Sequence, residues 1–204
     1  MRTSGLDAAT SVPSMAAYLS KLAELFLELQ ATGRGHDAYT LNEAAQRAVD
    51  MILALQAPQK VMLIGNGGSA AIVDHMKNDL CKSVGVRAMV FTDISLLTAV
   101  GNDHGYPHVF EFPVELWADA GDVLVAVSSS GQSENILRAA KVAVNKGCRV
   151  ITLTGFKTHN PLRQLGDVNF YVASDSYGYV ETIHAIITHI LTDSAMLMRQ
   201  RTTA

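Results

Sequence analysis

Two short loops carry the residues best suited to holding a ligand. Gly65-Asn66-Gly67-Gly68-Ser69 follows the apolar run Val61–Ile64 and precedes a helical stretch from Ala70 to Cys81. Its three glycines let the backbone approach an anion, and the helix start supplies free N–H groups and a positive dipole end. The stretch also reads as Gly-x-Gly-x-x-Ala, with Asp93 placed after the next strand as a ribose-binding acid would be. A dinucleotide site therefore competes here, and so does a plain strand-to-helix turn. The second loop separates these readings. Ser128-Ser129-Ser130-Gly131-Gln132-Ser133 follows Val123–Val127 and enters the helical stretch Glu134–Asn145. Four hydroxyls and a glycine at a helix entrance satisfy a phosphate with neutral donors and backbone amides. A capping turn needs one serine, and a dinucleotide site needs no such second loop.

Downstream of the glycine loop, His75 and Asp79 are four residues apart and share one helix face. Glu181 and His189 lie in the last helical segment, eight residues apart. Two histidines and two carboxylates make a zinc shell in composition. Eight residues are about 12 Å of helical rise, however, so Glu181 and His189 meet one ion only through long reach or from different subunits. The competing reading of His75 and Asp79 is a surface pair of little energetic value. Their place after a phosphate loop argues instead for a site. His184, between Glu181 and His189, reads as a packed histidine with a satisfied ring. His104 reads equally as a contact residue or a solvated one, and Lys157 and His159 receive no role. Trp117 reads as packing.

These loops need a scaffold. Val61–Ile64, Ala88–Phe91, Val123–Val127, Val150–Leu153 and Val168–Val172 are short, continuous apolar runs alternating with helical stretches. Such runs suit strands buried on both faces. The expected fold is α/β: a three-layer αβα sandwich with a five-stranded parallel sheet, flavodoxin-like in its winding. Two helical segments, Ser14–Gln30 and Thr40–Leu55, precede the first run as an extension with no strand before them. Residues 1–13 read as a flexible leader without the apolar stretch of a signal peptide, and residues 14–204 as a single domain.

The chain has 204 residues, a net charge of −3 and 49% hydrophobic residues. Nothing global attracts nucleic acid or an anionic membrane, and no apolar run approaches the ~20 residues of a membrane span. A cytoplasmic protein with no nucleic-acid or membrane partner is expected. Cys81 and Cys148 lack metal-ligand spacing and read as reduced thiols in or near a core.

Gly-Asn-Gly-Gly-Ser after one strand and Ser-x-Ser-Gly-x-Ser after another resemble the two signatures of the SIS (sugar isomerase) domain family. The block Thr92 to Asp103, with Gly105-Tyr106, is similar to its phosphoheptose isomerase subgroup. The resemblance implies that Asn66, Gly67, Ser69, Ser128, Ser129, Ser130 and Ser133 hold a sugar phosphate. It implies substrate contacts at Asp93 and Asp103. It places Asp79, His189 and Glu181 as catalytic groups, with Asp79 or Glu181 the base and His189 the acid or oxyanion donor. It places His75, Asp79, Glu181 and His189 as a metal shell, with zinc bound in some members and no nucleotide cofactor. Family members are typically homotetramers with active sites shared between subunits. The implied reaction is aldose–ketose isomerisation of sedoheptulose 7-phosphate to D-glycero-D-manno-heptose 7-phosphate through an enediol.

The chain departs from that pattern in three places. Asp79 stands where Glu is usual, Glu181 where Gln is usual, and Tyr177-Gly178-Tyr179-Val180 where Asp-Arg often precedes the last helix. An isomerase of another sugar phosphate, or a non-catalytic phosphosugar-binding or replication-initiation regulator of the same fold, are the alternatives. A dinucleotide oxidoreductase leaves the serine loop unexplained.

Overall fold

Alternation along the apolar runs is what separates the layers. In the computed structural model, which describes residues 14–35 and 37–203, the chain runs α1 (Met15–Leu27), β1 (Gln30–Thr32), β2 (Ala38–Tyr39), α2 (Leu41–Leu53), β3 (Val61–Gly65) and α3 (Gly68–Asp79). It continues through β4 (Ala88–Val90), α4 (Ile94–Asp103), α5 (Glu111–Trp117), β5 (Val123–Ser128), α6 (Glu134–Asn145), β6 (Arg149–Thr154), β7 (Val168–Tyr171) and α7 (Tyr177–Thr203). A π-helical turn, Leu80–Val84, extends α3, and a 3-10 turn, Leu162–Gln164, interrupts the β6–β7 crossover. Val61, Leu63, Val125, Val127, Ile151 and Leu153 pack towards α2, α3 and α7. Their neighbours Met62, Ile64, Leu124, Ala126 and Val150 pack towards α5 and α6. Successive strand residues point to opposite faces, so one run of apolar residues fills both cores.

The five predicted strands form the parallel sheet in the order β4-β3-β5-β6-β7. Numbered among themselves, they run 2-1-3-4-5, the flavodoxin-like order. The chain winds outward from β3 to β4 and returns to β5, which makes the β3–β5 boundary the switch point where such sheets bind ligands. Both loops leave from these two strands.

The strand count and the start of the sheet differ from the expectation. The sheet has seven strands, because β1 and β2 pair antiparallel and β1 pairs antiparallel with β7. Strands of three and two residues are too short to leave a periodic signature, and the sequence around them reads as a loop between helices. Tertiary contacts hold them: Asn169 Nδ2 donates to Thr32 O at 2.9 Å, and Arg34 pairs with Asp167 at 2.9 Å. The hairpin covers the β7 edge, which would otherwise present unpaired backbone groups.

At the opposite end from the loops, Asp122 ties the entrances of β3 and β5 together. It is fully buried and accepts from Lys60 N (2.9 Å), Lys60 Nζ (2.6 Å) and Asp119 N (2.9 Å). Burial works against the Lys60 charge, but hydrogen bonds to Asp122 and Asp119 outweigh it and hold the ammonium pKa above its ordinary value.

Two side-chain expectations are corrected. Cys81 is exposed, because it sits on the outer side of the π-helical turn, while Cys148 is buried and its thiol is pushed up to about 11 by that burial. Trp117 is 49% exposed rather than packed, at the end of α5. Residues 1–13, read as a leader, lie outside the described residues. Among the described residues, no helix is long and apolar enough to cross a membrane.

His184 is fully buried on α7. Its Nε2 lies 3.2 Å from Thr154 O, and Nδ1 has no partner among the described residues, so the ring is half satisfied. Burial pushes its pKa down to about 4, against the opposing effect of the Thr154 hydrogen bond. The folded ring is therefore neutral where an unfolded histidine, with an ordinary pKa of about 6.5, takes up a proton. The stability this contributes is present above about pH 6.5 and is lost as pH falls towards 4. Urea melts at pH 7 and pH 5 are expected to differ by about 2 kcal/mol from this residue. The same comparison in His184→Gln is expected to lose that increment; an unchanged difference would contradict the assignment.

Candidate active site

α3 and α7 both follow parallel strands, so both start at the loop end of the sheet and run in the same direction. Their contacts keep register. Near the start of each, a Cβ on Gly68 would collide with the Glu181 carboxylate. Further along, Asp79 Oδ2 lies 3.7 Å from His189 Nδ1. A groove between two parallel helices thus has Glu181 at its loop end and His189 at its far end.

The loop end is a cleft of about 100 Å³. Asn66, Ser69, Ser128, Ser129, Ser130 and Ser133 line it, so six of the seven residues implied for phosphate binding converge. Gly67 stands on the exposed rim as the cap of α3. Ser128 and Ser133 hydroxyls are 3.4 Å apart, and Gln132 N donates to Ser130 Oγ at 3.2 Å. Ser129 Oγ is buried without a partner among the described residues. The lining holds no cation, and Glu181 is its single carboxylate. A phosphate placed here would meet hydroxyls and the N-terminal ends of α3 and α6, with Glu181 opposing it.

The two loops are locked to each other through Asn66 and a partner, Asn135, that sequence reasoning did not single out. Asn66 Nδ2 donates to Asn135 Oδ1 (3.0 Å), and Asn135 Nδ2 donates back to Asn66 Oδ1 (2.9 Å). Tyr106 OH donates to the same Asn66 oxygen at 2.9 Å. Tyr177 adds an aromatic wall to the cleft. Asn135 sits two residues after Ser133, and this adjacency was the available signal.

Gly131 shows why the serine loop needs a glycine. Its φ is +62°, and a Cβ there would collide with the Asn160 side chain. Both requirements exclude other residues.

The far end gathers His75, Asp79 and His189, whose ligand atoms all lie within 4.8 Å of one another. Asp79 Oδ2 is 3.4 Å from His75 Nε2, and the two imidazoles meet edge to face at 5.0 Å between centroids. Two nitrogens and a carboxylate oxygen form a donor set that suits zinc with one position open. Glu181 does not join this cluster; two turns of α7 separate it from His189, and it lies against Gly68 instead. The expected four-residue shell is thereby reduced to three within one chain.

Asp93 and Asp103 do not line the cleft. Asp93 caps α4 by accepting from Leu96 N at 2.9 Å, and Asp103 at the end of that helix accepts from Asn102 Nδ2 at 2.8 Å. Both are exposed. His104 stacks on Phe112 at 5.9 Å.

Comparison with known proteins shows the family. The SIS domain family matches residues 18–155 in one of its forms and 114–198 in another. The phosphoheptose isomerase of Helicobacter hepaticus is 36% identical over 162 residues, covering 76% of this chain and 82% of that protein. The phosphoheptose isomerase of Nitratiruptor sp. is 41% identical over 147 residues, covering 69% and 78%. The structure of phosphoheptose isomerase from Neisseria gonorrhoeae superposes with a TM-score of 0.76 at 31% identity, covering 88% of this chain and 96% of that one. That of Francisella tularensis gives 0.77 at 27% identity, covering 89% and 95%. With the two loops at the switch point and the relatives at this level of identity, the chain belongs to the SIS domain family, among the phosphoheptose isomerases.

Proposed function

We propose that the protein isomerises sedoheptulose 7-phosphate to D-glycero-D-manno-heptose 7-phosphate. The observation that carries this reading is the joining of a phosphate-sized serine cleft to a His–Asp–His cluster by one helix. Ser69 opens α3, His75 lies about 9 Å further along it and Asp79 about 15 Å. An extended sugar phosphate spans that interval, with its phosphate among the serines and its carbonyl end at the cluster.

In the proposed reaction, Asp79 removes a proton from C1 of the ketose. His189 donates to the oxyanion developing on O2; Asp79 then returns its proton to C2 of the enediol while the O1 hydroxyl gives its proton back to His189 and O1 becomes the aldehyde oxygen. Atoms balance within the substrate, so no redox partner is required. Holding the phosphate fixes the reacting carbons against the base, which supplies rate by positioning. Glu181, at the phosphate end, is the rival base. His75, Asp79 and His189 would hold a zinc ion, whose chemistry when bound is polarisation of the substrate carbonyl.

We further propose a homotetramer with shared sites. The His75 and His189 side chains are 61% and 52% exposed in a single chain, too open for a site that must exclude water. Met15, Leu19 and Leu27 leave an apolar face of α1 uncovered, as a subunit contact requires.

Incubation of the purified protein with sedoheptulose 7-phosphate, followed by NMR, tests the function. Appearance of the aldose is expected. Phosphosugar binding without turnover would favour another sugar phosphate, a reading to which Glu181 and Tyr177 in the cleft lend weight. Neither binding nor turnover would sink the proposal.

A further inference from the structure

A second cavity, of about 170 Å³, lies beside β1 and the β6–β7 crossover and shares no residue with the serine cleft. Thr32, Thr158, His159, Asn160, Arg163 and Gln164 line it. Arg163 is only 8% exposed, yet no carboxylate among the described residues pairs with it. Its guanidinium donates to Thr158 O at 3.2 Å and to Gln30 Oε1 at 3.1 Å, and it lies over the Tyr171 ring at 4.5 Å. The fork carries five N–H groups, and these neutral acceptors take two of them. A buried cation is ordinarily balanced by an acid, because charge withdrawn from water without a counter-charge is expensive. Here burial pushes the guanidinium pKa below its ordinary value. Thr32, in the same wall, has a buried hydroxyl without a partner among the described residues, and His159 stands exposed in the lining.

We propose that this pocket is a second anion site, taking a phosphate-type oxyanion on the Arg163 fork. The residue set fits that chemistry: a planar cation, hydroxyl and amide side chains, and no acid in the lining. The pocket also backs onto the serine loop. Asn160 Oδ1 accepts from Arg163 N at 3.0 Å and packs against Gly131, while Leu162 N donates to Gly131 O at 3.2 Å. An anion on Arg163 thereby braces the wall against which the serine loop is folded. The site stands on Arg163 and its surroundings, independently of the reaction proposed for the cleft.

Calorimetric titration of the full chain with inorganic phosphate at fixed ionic strength tests the proposal. Wild type is expected to bind two phosphates per chain and Arg163→Met one. The same stoichiometry in both proteins overturns it. Should Arg163→Met fail to fold, Arg163→Lys keeps the charge without the fork and is expected to weaken the second site about tenfold; unchanged affinity overturns the proposal. Failure of the serine cleft reads differently, as loss of the site that survives in Arg163→Met and responds to Ser130→Ala. A parallel titration with glycerol 3-phosphate assigns the source: tighter binding than inorganic phosphate at the Arg163-dependent site identifies a phosphate ester, weaker binding the free ion. A crystal structure with a neighbouring subunit's carboxylate seated on Arg163 also overturns the proposal.

Discussion

An Asp79→Asn variant is expected to lower kcat for sedoheptulose 7-phosphate by about 10²–10⁴-fold while leaving KM within a few-fold of wild type. Asn keeps the shape of the side chain and cannot accept a proton from carbon. Asp79 Oδ2 faces His75 and His189 at 3.4 and 3.7 Å, distances at which little folding energy is at stake because both imidazoles are largely exposed. In the proposed reaction substrate binding rests on the serine cleft at the other end of α3, so affinity is expected to survive. Metal content measured alongside separates loss of a base from loss of a bound ion. Retention of wild-type kcat would move the base to Glu181, where Glu181→Gln would then show the large fall.

The largest effect on stability is expected from Asp122→Ala, at about 3–5 kcal/mol. For a chain of this size that corresponds to a Tm lower by roughly 6–20 °C. The variant leaves the Lys60 ammonium, 10% exposed, without its buried partner, and orphans the backbone N–H groups of Lys60 and Asp119. A Lys60→Met/Asp122→Leu double variant removes both charges and is expected to recover part of the loss, since the orphaned amides remain. A single variant as stable as wild type would show that water reaches this end of the sheet. Turnover at a temperature where both proteins are folded is expected to be unchanged, because Asp122 lies at the end of the strands opposite the loops.

Much of this architecture was legible because it is written locally. α6 begins and ends where its pattern predicts, at Glu134 and Asn145, since its apolar period and its serine-rich entrance are both sequence-local. The places of the two loops, each between a strand and a helix, were legible for the same reason, although the glycine loop read alone left a dinucleotide site and a plain turn open. The separation of Glu181 from His189 followed from helical rise alone. The β1–β2 hairpin was not legible, because its stability comes from β7, Asn169 and Asp167, more than 130 residues away. The Asn66–Asn135 amide pair and the Arg163 pocket are likewise products of tertiary approach. At Asp93 a carboxylate placed after a strand suggested ligand contact, and within the single chain the residue caps α4 outside the cleft, a placement that only the folded loop reveals.

The parallel register of α3 and α7 has a consequence for what the groove admits. Its two ends are joined by rigid helix rather than by loops, so the interval between anion and proton transfer behaves as a fixed gauge. If the reaction proceeds as proposed, a substrate with a shorter carbon chain would leave its carbonyl short of Asp79, and side-chain adjustment would recover little of a mismatch set in steps of helical rise. On that reading, selectivity for chain length would be built into the backbone. Inserting one residue into α3 would rotate the far end by about 100° and turn His75 and Asp79 away from α7, dismantling the reactive end while leaving the anion end intact.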